Sequence, residues 1–576
     1  MAPLPSDLWS IHELLELVFS QLDDRSLARV ACVCRLWSDI ALDILWREVD
    51  DLHRLISLLA PFRKPEQVTD LQKFRRSLVP NDWEQFQRYA RRVRRLTHDQ
   101  FSGRSKSRYL NPSVFDEMAR TCPRAEILPS LHSLAWYGGS YDRQEKSIFF
   151  MHSKIKRLSL QLHASPEVTS YIGQAAARAS SAEHVEFRLI GAMQDVEGYL
   201  APALPNFRNL QSISFPMHGL TSGVLTALSR MRHLRTISLN PPTESGNGER
   251  NDVMTFAPSL SSASLPALRR ISFSAQIPHA SHFLCGAFVP ANLVYLYLQS
   301  VVVCETHEVE HLFDVVRTRC HSLVELSVDF IIGPGSPLRV PGPPLDERPG
   351  LRTLSPLFGA KRLTKFEFRW DYPLNLGDPD IALLALEWPA LEVLVLNPEP
   401  IMEVVRPALT LNAFLPLARH CPRLRKLGLH IDATTVPTPN VSGRPAVPFQ
   451  CLETLMLGVS PIVAVESAAL FLSQLLPLGC ELSSGLRWPD AFGIALDHAG
   501  IMDDRRLRLT DYWVRWNDVA KVLPLATKAR QQERARMETL QRDLEAMTLS
   551  RDRERQRSEE LEQEVHGWRN RVGRRS

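Results

Sequence analysis

Residues 11–49 read IHELLELVFSQLDDRSLARVACVCRLWSDIALDILWREV and carry three short amphipathic helical patterns in succession. Apolar residues at steps of three and four indicate one helical face. The first pattern consists of Ile11, Leu14, Leu15, Val18, Phe19 and Leu22. Asp23-Asp24 interrupts the period and offers a side-chain oxygen that caps the next helix. The second helix is expected to carry Leu27, Val30, Ala31, Cys34 and Trp37, and the third, from about Ser38, Ile40, Ile44, Leu45 and Trp46.

These segments hold more large apolar side chains than a bundle of their size can cover. Domains of about 40 residues lie near the lower limit for a self-sufficient core. Surplus apolar surface of this kind is covered either by a partner or by the rest of the same chain. The periodicity alone leaves both alternatives open.

The order of the residues in this segment resembles the F-box. That motif has an aliphatic first helix, a Leu-Asp pair, a Leu-x-x-Val-x-x-Val-Cys-x-x-Trp run and a closing Leu-Trp. The matching residues are Leu14, Leu17, Val18, Leu22, Asp23, Leu27, Val30, Val33, Cys34, Trp37, Leu45 and Trp46. Ile11-His12 stands where the motif usually has Leu-Pro, although Ile11 is still apolar.

The composition is ordinary for a soluble globular protein. A chain of 576 residues is too long for one core and long enough for several domains or a repeat array. The net charge of +4 argues for neither nucleic acid nor membrane binding, and no apolar run is long enough to span a bilayer. A secretory pattern is absent from the N-terminus, and nine dispersed cysteines suit a reducing compartment, so we expect a cytoplasmic or nuclear protein.

One short pattern, apolar-x-x-apolar-x-apolar, recurs through most of the chain. Its last two apolar positions alternate along a short strand and point into the core, while the first turns the chain into that strand. From Leu131 to Leu452 the mean period is about 29 residues, which is typical of leucine-rich repeats. One repeat cannot bury its own face, so the units must stack. The pattern occurs at Val93-Leu96-His98 (imperfectly), Leu131-Leu134-Trp136, Ile155-Leu158-Leu160, Ala182-Val185-Phe187, Leu210-Ile213-Phe215, Leu234-Ile237-Leu239, Leu268-Ile271-Phe273, Leu293-Leu296-Leu298, Leu323-Leu326-Val328, Leu363-Phe366-Phe368, Leu391-Leu394-Leu396, Leu424-Leu427-Leu429 and Leu452-Leu455-Leu457.

The stretches between these strands supply helices and loops. TSGVLTALSRM at 221–231 and VEHLFDVVRTRC at 309–320 predict repeat helices. Cys122, Cys320 and Cys421 each stand just ahead of a strand, where a buried thiol at a helix end is favoured over a metal ligand. Three inserts poor in helix and strand signals are predicted to be mobile loops: residues 240–262, 332–350 and 432–448.

Helical segments are predicted on both sides of the repeats. In the connector, DLHRLISLLAP at 51–61 and NDWEQFQRYARRVRRL at 81–96 read as helices. The second ends in a basic cluster of Arg91, Arg92, Arg94 and Arg95, for which a solvated face is favoured over a nuclear-localisation or phosphate-binding patch. SAALFLSQLLPLGC at 467–480 and DYWVRWNDVAKVLPL at 511–525 read as helices that cap the open end of the solenoid.

The final residues, from Ala526, are dense in Arg, Glu and Gln. Seven apolar residues share one heptad register: Met537, Leu540, Leu544, Met547, Leu561, Val565 and Trp568. Arg551, Glu554 and Ser558 interrupt it, which makes a weak coiled coil. Weak self-association through this tail and a merely solvated helix both stay open.

One segment has the form of a zinc site. His307-Glu308-Val309-Glu310-His311 is a formal H-E-x-x-H, which on a helix places two histidines on one face and a glutamate as base. The charged Glu310 and the position within a repeat helix favour an ordinary solvated face instead. Phosphate-binding glycine loops and nucleophile elbows are also absent from the sequence. We therefore expect no catalytic residue, cofactor or metal.

Taken together, the patterns predict an α/β fold with five parts. These are a three-helix F-box at 1–49, a helical connector at 50–92, an irregular leucine-rich-repeat solenoid (an α/β horseshoe) at 93–458, a helical cap at 459–525 and a charged helical or weak coiled-coil tail at 526–576. The combination resembles the F-box/leucine-rich-repeat proteins, of the divergent kind expanded in mushroom-forming fungi.

This resemblance implies a non-catalytic substrate receptor of a Skp–cullin–F-box ubiquitin ligase. The F-box would dock on a Skp-family adaptor, and through it a cullin–RING ligase, while the repeats hold a target protein. Ten residues of the F-box segment are expected to bind the adaptor, but some of them must form the internal core of the bundle instead. The sequence does not show which of the ten belong to which group. The ten residues are Leu14, Leu17, Val18, Leu22, Leu27, Val30, Val33, Trp37, Leu45 and Trp46. The alternative is a non-ligase repeat scaffold in which F-box-like helices only cap the solenoid and bury Trp37 and Leu45 against the Leu131 repeat.

Overall fold

The computed structural model divides the chain into two compact units. Unit 1 comprises Met1–Asn375, Ile401–Glu403 and Trp488–Ile501, and unit 2 comprises Leu376–Pro400, Val404–Arg487 and Met502–Ser576. The structure describes residues 11–63, 71–99, 110–138, 144–163, 165, 167–240, 248–302, 304–330, 343–370, 372–400, 406–437, 447–485 and 503–572.

Unit 1 begins with a bundle of three helices, α1 (His12–Phe19), α2 (Asp24–Val30) and α3 (Arg35–Leu45). Its core consists of Leu15, Phe19, Leu27, Ile40 and Ala41. As predicted, the Asp23 carboxylate caps α2 by accepting the backbone N–H of Ser26 at 3.0 Å.

The boundary between the second and third helices differs from the prediction. After Val30 the backbone bonds tighten to three-residue steps, with Val33 N–H donating to the Val30 carbonyl at 3.1 Å. Cys34 is the N-cap of α3, and its sulfur accepts the N–H of Trp37 at 3.5 Å. Placing Cys34 and Trp37 in the second helix was therefore wrong, because the apolar spacing continues unchanged across the turn.

The described part of unit 1 also contains eleven strands that pair in parallel and in chain order. Every repeat pattern predicted in this unit coincides with one of them. The strands are β1 (Glu48–Val49), β2 (Arg95–Asp99), β3 (Ser133–Tyr137), β4 (Arg157–His163), β5 (His184–Ile190), β6 (Ser212–Pro216), β7 (Thr236–Asn240), β8 (Arg270–Ala275), β9 (Tyr295–Ser300), β10 (Glu325–Asp329) and β11 (Lys365–Phe368).

The register of these strands explains why the units stack. The middle apolar residue of each pattern pairs with its counterpart in the next strand, as in Leu96 with Leu134 and Leu326 with Phe366. The side chains of these ladder residues are buried, as is the first residue of each pattern. Each repeat thus covers apolar residues of the next repeat. The parallel-strand α/β solenoid arrangement that we predicted is confirmed.

Helices and short 3₁₀ turns link the strands of unit 1. The helices are α4 (Leu52–Ile56), α5 (Pro80–Ala90), α6 (Pro112–Thr121), α7 (Val168–Arg178), α8 (Gln194–Ala203), α9 (Ser222–Leu228), α10 (Ile277–Cys285), α11 (Thr306–Arg319) and α12 (Leu351–Leu354). The 3₁₀ turns are Glu145–Phe150, Leu204–Asn206, Arg250–Val253, Leu345–Glu347 and Ser355–Gly359. Both repeat helices predicted in this unit are therefore present as α9 and α11.

Two further predictions for unit 1 were wrong in part. Arg91, Arg94 and Arg95 of the basic cluster are exposed as predicted, but the Arg92 side chain is buried and pairs with Asp39 and Asp43 of α3. In the insert 240–262, residues 241–247 lie outside the described residues. Part of the remainder is packed rather than loose, because Val253 and Phe256 are buried.

The other two predicted loops fall partly outside the described residues, at 331–342 and 438–446. Before the second of these gaps, Ala433 forms a parallel bridge with Ile462. After the first, the Arg348 guanidinium donates to the Pro343 carbonyl at 2.9 Å. The described ends of both segments therefore bond to their own unit.

Unit 2 repeats the same architecture with four described strands. These are β12 (Val393–Leu396), β13 (Lys426–Leu429), β14 (Thr454–Gly458) and β15 (Glu481–Ser484), paired in parallel. They alternate with α13 (Asp378–Glu387), the 3₁₀ turn Leu411–Ala413, α14 (Phe414–His420) and α15 (Val465–Leu475). Gly458 has a φ of +48°, and a Cβ there would lie 1.9 Å from the Pro398 carbonyl oxygen, so the close approach requires glycine.

The last element of unit 2 is one long helix, α16 (Asp503–Val572). It runs without a break through residue 525, where the sequence suggested that a cap ends and a tail begins. Its Trp516, Val519 and Leu523 are buried, and it packs against α15. In the described chain, no helix combines the length and the apolar character needed to cross a bilayer.

Candidate functional site

Six large apolar side chains lie exposed on the N-terminal bundle, and we call them the exposed apolar set. Its members are Ile11, Leu14, Leu17, Val18, Val33 and Leu36, each of which is about 40% exposed or more. Leu14, Leu17 and Val18 lie on α1, and Ile11 is the residue that precedes it. Val33 and Leu36 flank the start of α3. Apolar side chains concentrated in this way on so small a bundle are typical of a protein-binding surface.

The structure divides the ten predicted adaptor-binding residues into two groups. Leu14, Leu17, Val18 and Val33 are exposed, and for them the predicted role stays a prediction. The remaining six are held within the protein. Leu27 belongs to the bundle core, and Leu22, Val30, Trp37 and Leu45 pack against it. Trp46 is buried at the connector.

Trp37 and Leu45 pack within their own bundle. The Trp37 ring meets Phe19 edge-on, with ring centroids 5.4 Å apart. Both residues are half-buried against the core of their own bundle. They therefore stabilise the bundle itself.

Sequence reasoning missed two members of the exposed apolar set. Ile11 belongs to the apolar period of α1 but was not included among the binding residues. Leu36 occupies a variable position of the Cys-x-x-Trp run, so the motif gave no reason to select it. The signal that could have found it is its apolar character at the exposed first turn of α3, next to Val33.

The opposite side of the bundle is joined to the connector. The ring of Trp46 lies 5.3 Å from that of Tyr89, and the Arg54 guanidinium lies 4.9 Å from the centroid of the same indole. Arg92 donates to the Asp39 carboxylate at 2.7 Å and to the Asp39 carbonyl at 2.9 Å, and it also pairs with Asp43. These contacts join α3 and the residue that follows it to the connector helices α4 and α5 and to Arg92, which lies just after α5.

Two carboxylates hold α1 and α2 in place. A hydrogen bond from Arg47 lowers the pKa of Glu16, so this residue of α1 stays ionised and paired with the chain that follows α3. Hydrogen bonds from Ser26 likewise lower the pKa of Asp23 at the start of α2. Both carboxylates are therefore ionised at neutral pH, where each can accept its hydrogen bonds.

The H-E-x-x-H segment lies at the start of α11. The Glu308 carboxylate accepts the backbone N–H of Glu305 at 3.0 Å and so forms part of the helix cap. His307 is exposed and pairs with Glu305 at 3.2 Å. Among the described residues, no group of three or more His, Cys, Asp or Glu side chains converges in a way that could hold a metal ion.

The three cysteines that stand ahead of strands are helix C-caps. Cys320 and Cys421 are buried as predicted, whereas Cys122 is only partly buried. Burial raises the pKa of Cys320 and of Cys421 to about 12, so both remain thiols at neutral pH. The Cys421 sulfur lies 3.6 Å from the Ala385 and Trp388 carbonyl oxygens. These thiols pack at helix ends and are poor nucleophiles.

Comparison with known proteins adds one family match. Residues 12–51 match the family described as F-box-like. None of the curated proteins matches the chain. Among similar solved structures is one titled "Crystal structure of Rad7 and Elc1 complex in yeast", with 15% sequence identity and a TM-score of 0.32 over 79% of this chain and 89% of that chain. A likeness this distant supports no argument about the present protein.

Proposed function

We propose that this protein is the substrate-recognition subunit of a Skp–cullin–F-box ubiquitin ligase. The exposed apolar set docks on a Skp-family adaptor, and the repeats bind a target protein. One observation carries the proposal: the segment that matches the F-box-like family, residues 12–51, exposes five large apolar side chains, and Ile11 just ahead of it exposes a sixth. Burial of such a side chain contributes roughly 1.5–3 kcal/mol, so an apolar partner surface would bind them favourably.

In this proposal the protein carries out no bond chemistry. Its contribution is proximity, because a target held by the same chain that binds the adaptor is present at a high effective concentration near the ubiquitin-loaded enzyme. We place this activity in the cytoplasm or nucleus. The finer assignment to the expanded fungal group also stays part of the proposal.

A non-ligase scaffold is the second candidate, and one observation favours it: the contacts between the end of the bundle and the connector. Arg92 and Trp46 join the bundle to the connector, as expected of helices that cap a solenoid. These contacts lie on α3 and the residues that follow it, however, whereas most of the exposed apolar set lies on α1 or just ahead of it. Capping therefore does not account for the six exposed side chains.

The test is the affinity of the purified full-length protein for a Skp-family adaptor, measured by isothermal titration calorimetry. Leu17→Asp/Val33→Asp changes two of the most exposed members of the set, so it should leave the bundle folded and weaken binding by about 30-fold or more. Trp37→Ala is a poorer choice because it removes a side chain of the bundle core. The control is Val289→Asp, at a half-exposed apolar residue of unit 1 outside the bundle, which should bind as the wild type does. A folded wild-type protein that shows no binding would favour the scaffold instead.

A further inference from the structure

Helix α16 continues far beyond the part that packs on unit 2. Near the end of that packed part, the Arg534 guanidinium donates to the Gln474 carbonyl at 2.9 Å. From residue 535 to residue 566 every side chain is exposed. At 1.5 Å per residue, the stretch that includes Trp568 is about 50 Å long.

An apolar stripe follows this exposed stretch, and we call it the tail seam. From residue 537 to residue 568, its positions are spaced alternately by three and four residues, the spacing of a two-stranded coiled coil. Only the central positions are polar, and they are Arg551, Glu554 and Ser558. The seven others are each more than half exposed: Met537, Leu540, Leu544, Met547, Leu561, Val565 and Trp568.

We propose that the tail seam pairs with the tail seam of a second copy of this chain in antiparallel orientation. The positions of the seam are symmetric about its midpoint, between residues 552 and 553. Two antiparallel copies therefore match apolar residue to apolar residue in the six outer layers, while Met547 of each copy faces Ser558 of the other. Leu544 of one copy then faces Leu561 of the other. At the centre, Arg551 of each copy faces Glu554 of the other, which gives two ion pairs across the dimer axis.

Charge selects this arrangement over the parallel one. Two parallel copies in register would place Arg551 against Arg551 and Glu554 against Glu554, and like charges directly opposed at an interface are costly. In the single chain, Arg551 contacts Asp552 at 3.3 Å, but both side chains are largely exposed and such a pair contributes little. In the antiparallel pair, Asp543 of one copy lies beside Glu564 of the other, and both carry a negative charge. Because these charges repel, the affinity of the dimer is expected to be modest.

The first test is a charge exchange in the full-length protein, followed by sedimentation equilibrium. Arg551→Glu and Glu554→Arg should each weaken the dimer by at least ~10-fold, because each opposes like charges. The double exchange should restore the wild-type affinity. The control Arg553→Glu/Glu560→Arg makes the same changes on the side of the helix away from the seam and should have no effect. A monomeric wild type, or single exchanges that bind like the wild type, would overturn the proposal.

The second test reads the orientation directly. Leu544→Cys/Leu561→Cys should form a 544–561 disulfide between copies on mild oxidation, identified by peptide mass. The two positions are about 25 Å apart along one helix, so this bond cannot form within a chain. A 544–544 bond would show a parallel pair and reject the proposal. Adaptor binding is not needed for either test, so the dimer and the ligase role stand or fall separately.

Discussion

Arg92 joins two segments that appear separate in the sequence, the N-terminal bundle and the connector. Its guanidinium is 8% exposed and bonds Asp39, Asp43 and the Arg88 carbonyl. Arg92→Ala removes all of these bonds, so we expect the free energy of unfolding to fall by about 2–4 kcal/mol. Arg92→Lys should recover only part of the loss, because one ammonium cannot bind both carboxylates in the geometry of the guanidinium. Urea denaturation measures both. Arg91→Ala, at the exposed neighbouring arginine, is the control, and an equal loss there would contradict this role of Arg92.

We expect Asp329 to make the free energy of unfolding depend on pH. Burial raises its pKa to about 7, the Tyr297 hydroxyl donates to one carboxylate oxygen at 3.3 Å, and the other oxygen has no hydrogen-bond partner among the described residues. The unfolded carboxyl has a pKa of about 3.9. Between these values the unfolded chain releases a proton that the folded chain keeps, so stability falls as the pH rises from 4 to 7.

Asp329→Asn should remove this dependence. The free energy of unfolding of the variant is expected to equal that of the wild type near pH 4. At pH 8 it should be larger by a few kcal/mol, which is the order of magnitude that this difference in pKa between the folded and unfolded states gives. Urea unfolding across the pH range measures the difference. Asp346→Asn, at an exposed carboxylate of the same unit, should leave the profile unchanged. Parallel profiles for Asp329→Asn and the wild type would show that the carboxyl ionises normally.

At the scale of elements, the strands were predictable because their pattern repeats. All thirteen pattern sites coincide with strands β2 to β14, even His98, whose imidazole packs on Trp136 with ring centroids 4.3 Å apart. The first and last strands were missed. β1 has only two residues and β15 has one large apolar residue, Leu482, so each depends on pairing with its neighbour rather than on its own sequence. Burial within the F-box segment was not predictable either, because α1 carries apolar residues on both of its faces.

One buried side chain of helix α16, Trp516, makes a specific contact with the rest of unit 2. Trp516 is fully buried, and its indole N–H donates to the Ser460 carbonyl at 2.8 Å. Trp516→Ala should lower the free energy of unfolding by about 3–5 kcal/mol and release helix α16 from the strands of unit 2. Trp516→Phe keeps most of the packing and should cost about 1 kcal/mol for the hydrogen bond. Limited proteolysis reports the release as new cleavage between residues 511 and 534. Trp513→Ala, at a half-exposed tryptophan one turn away, should not increase cleavage to the same degree.

At the scale of the whole molecule, the proposed functions lie on separate surfaces. The exposed apolar set belongs to unit 1, and the tail seam belongs to unit 2. Variants of one surface should therefore leave the other intact, so Leu17→Asp/Val33→Asp should still dimerise and Arg551→Glu should still bind the adaptor. This separation makes the receptor role testable without knowledge of the target, because adaptor docking can be removed while the repeats remain unchanged.

The last prediction uses that separation in cells. Full-length protein carrying Leu17→Asp/Val33→Asp should lose the adaptor and the cullin but retain the target on its repeats. Because the target is then no longer modified and degraded, affinity capture followed by mass spectrometry should recover it in larger amount with the variant than with the wild type. Val289→Asp should behave as the wild type in both respects. Equal capture of the adaptor by the wild type and the double variant would show that docking does not use the exposed apolar set. Capture of no adaptor or cullin by any form would leave the capped scaffold as the better account, since capping needs only the contacts of Arg92 and Trp46.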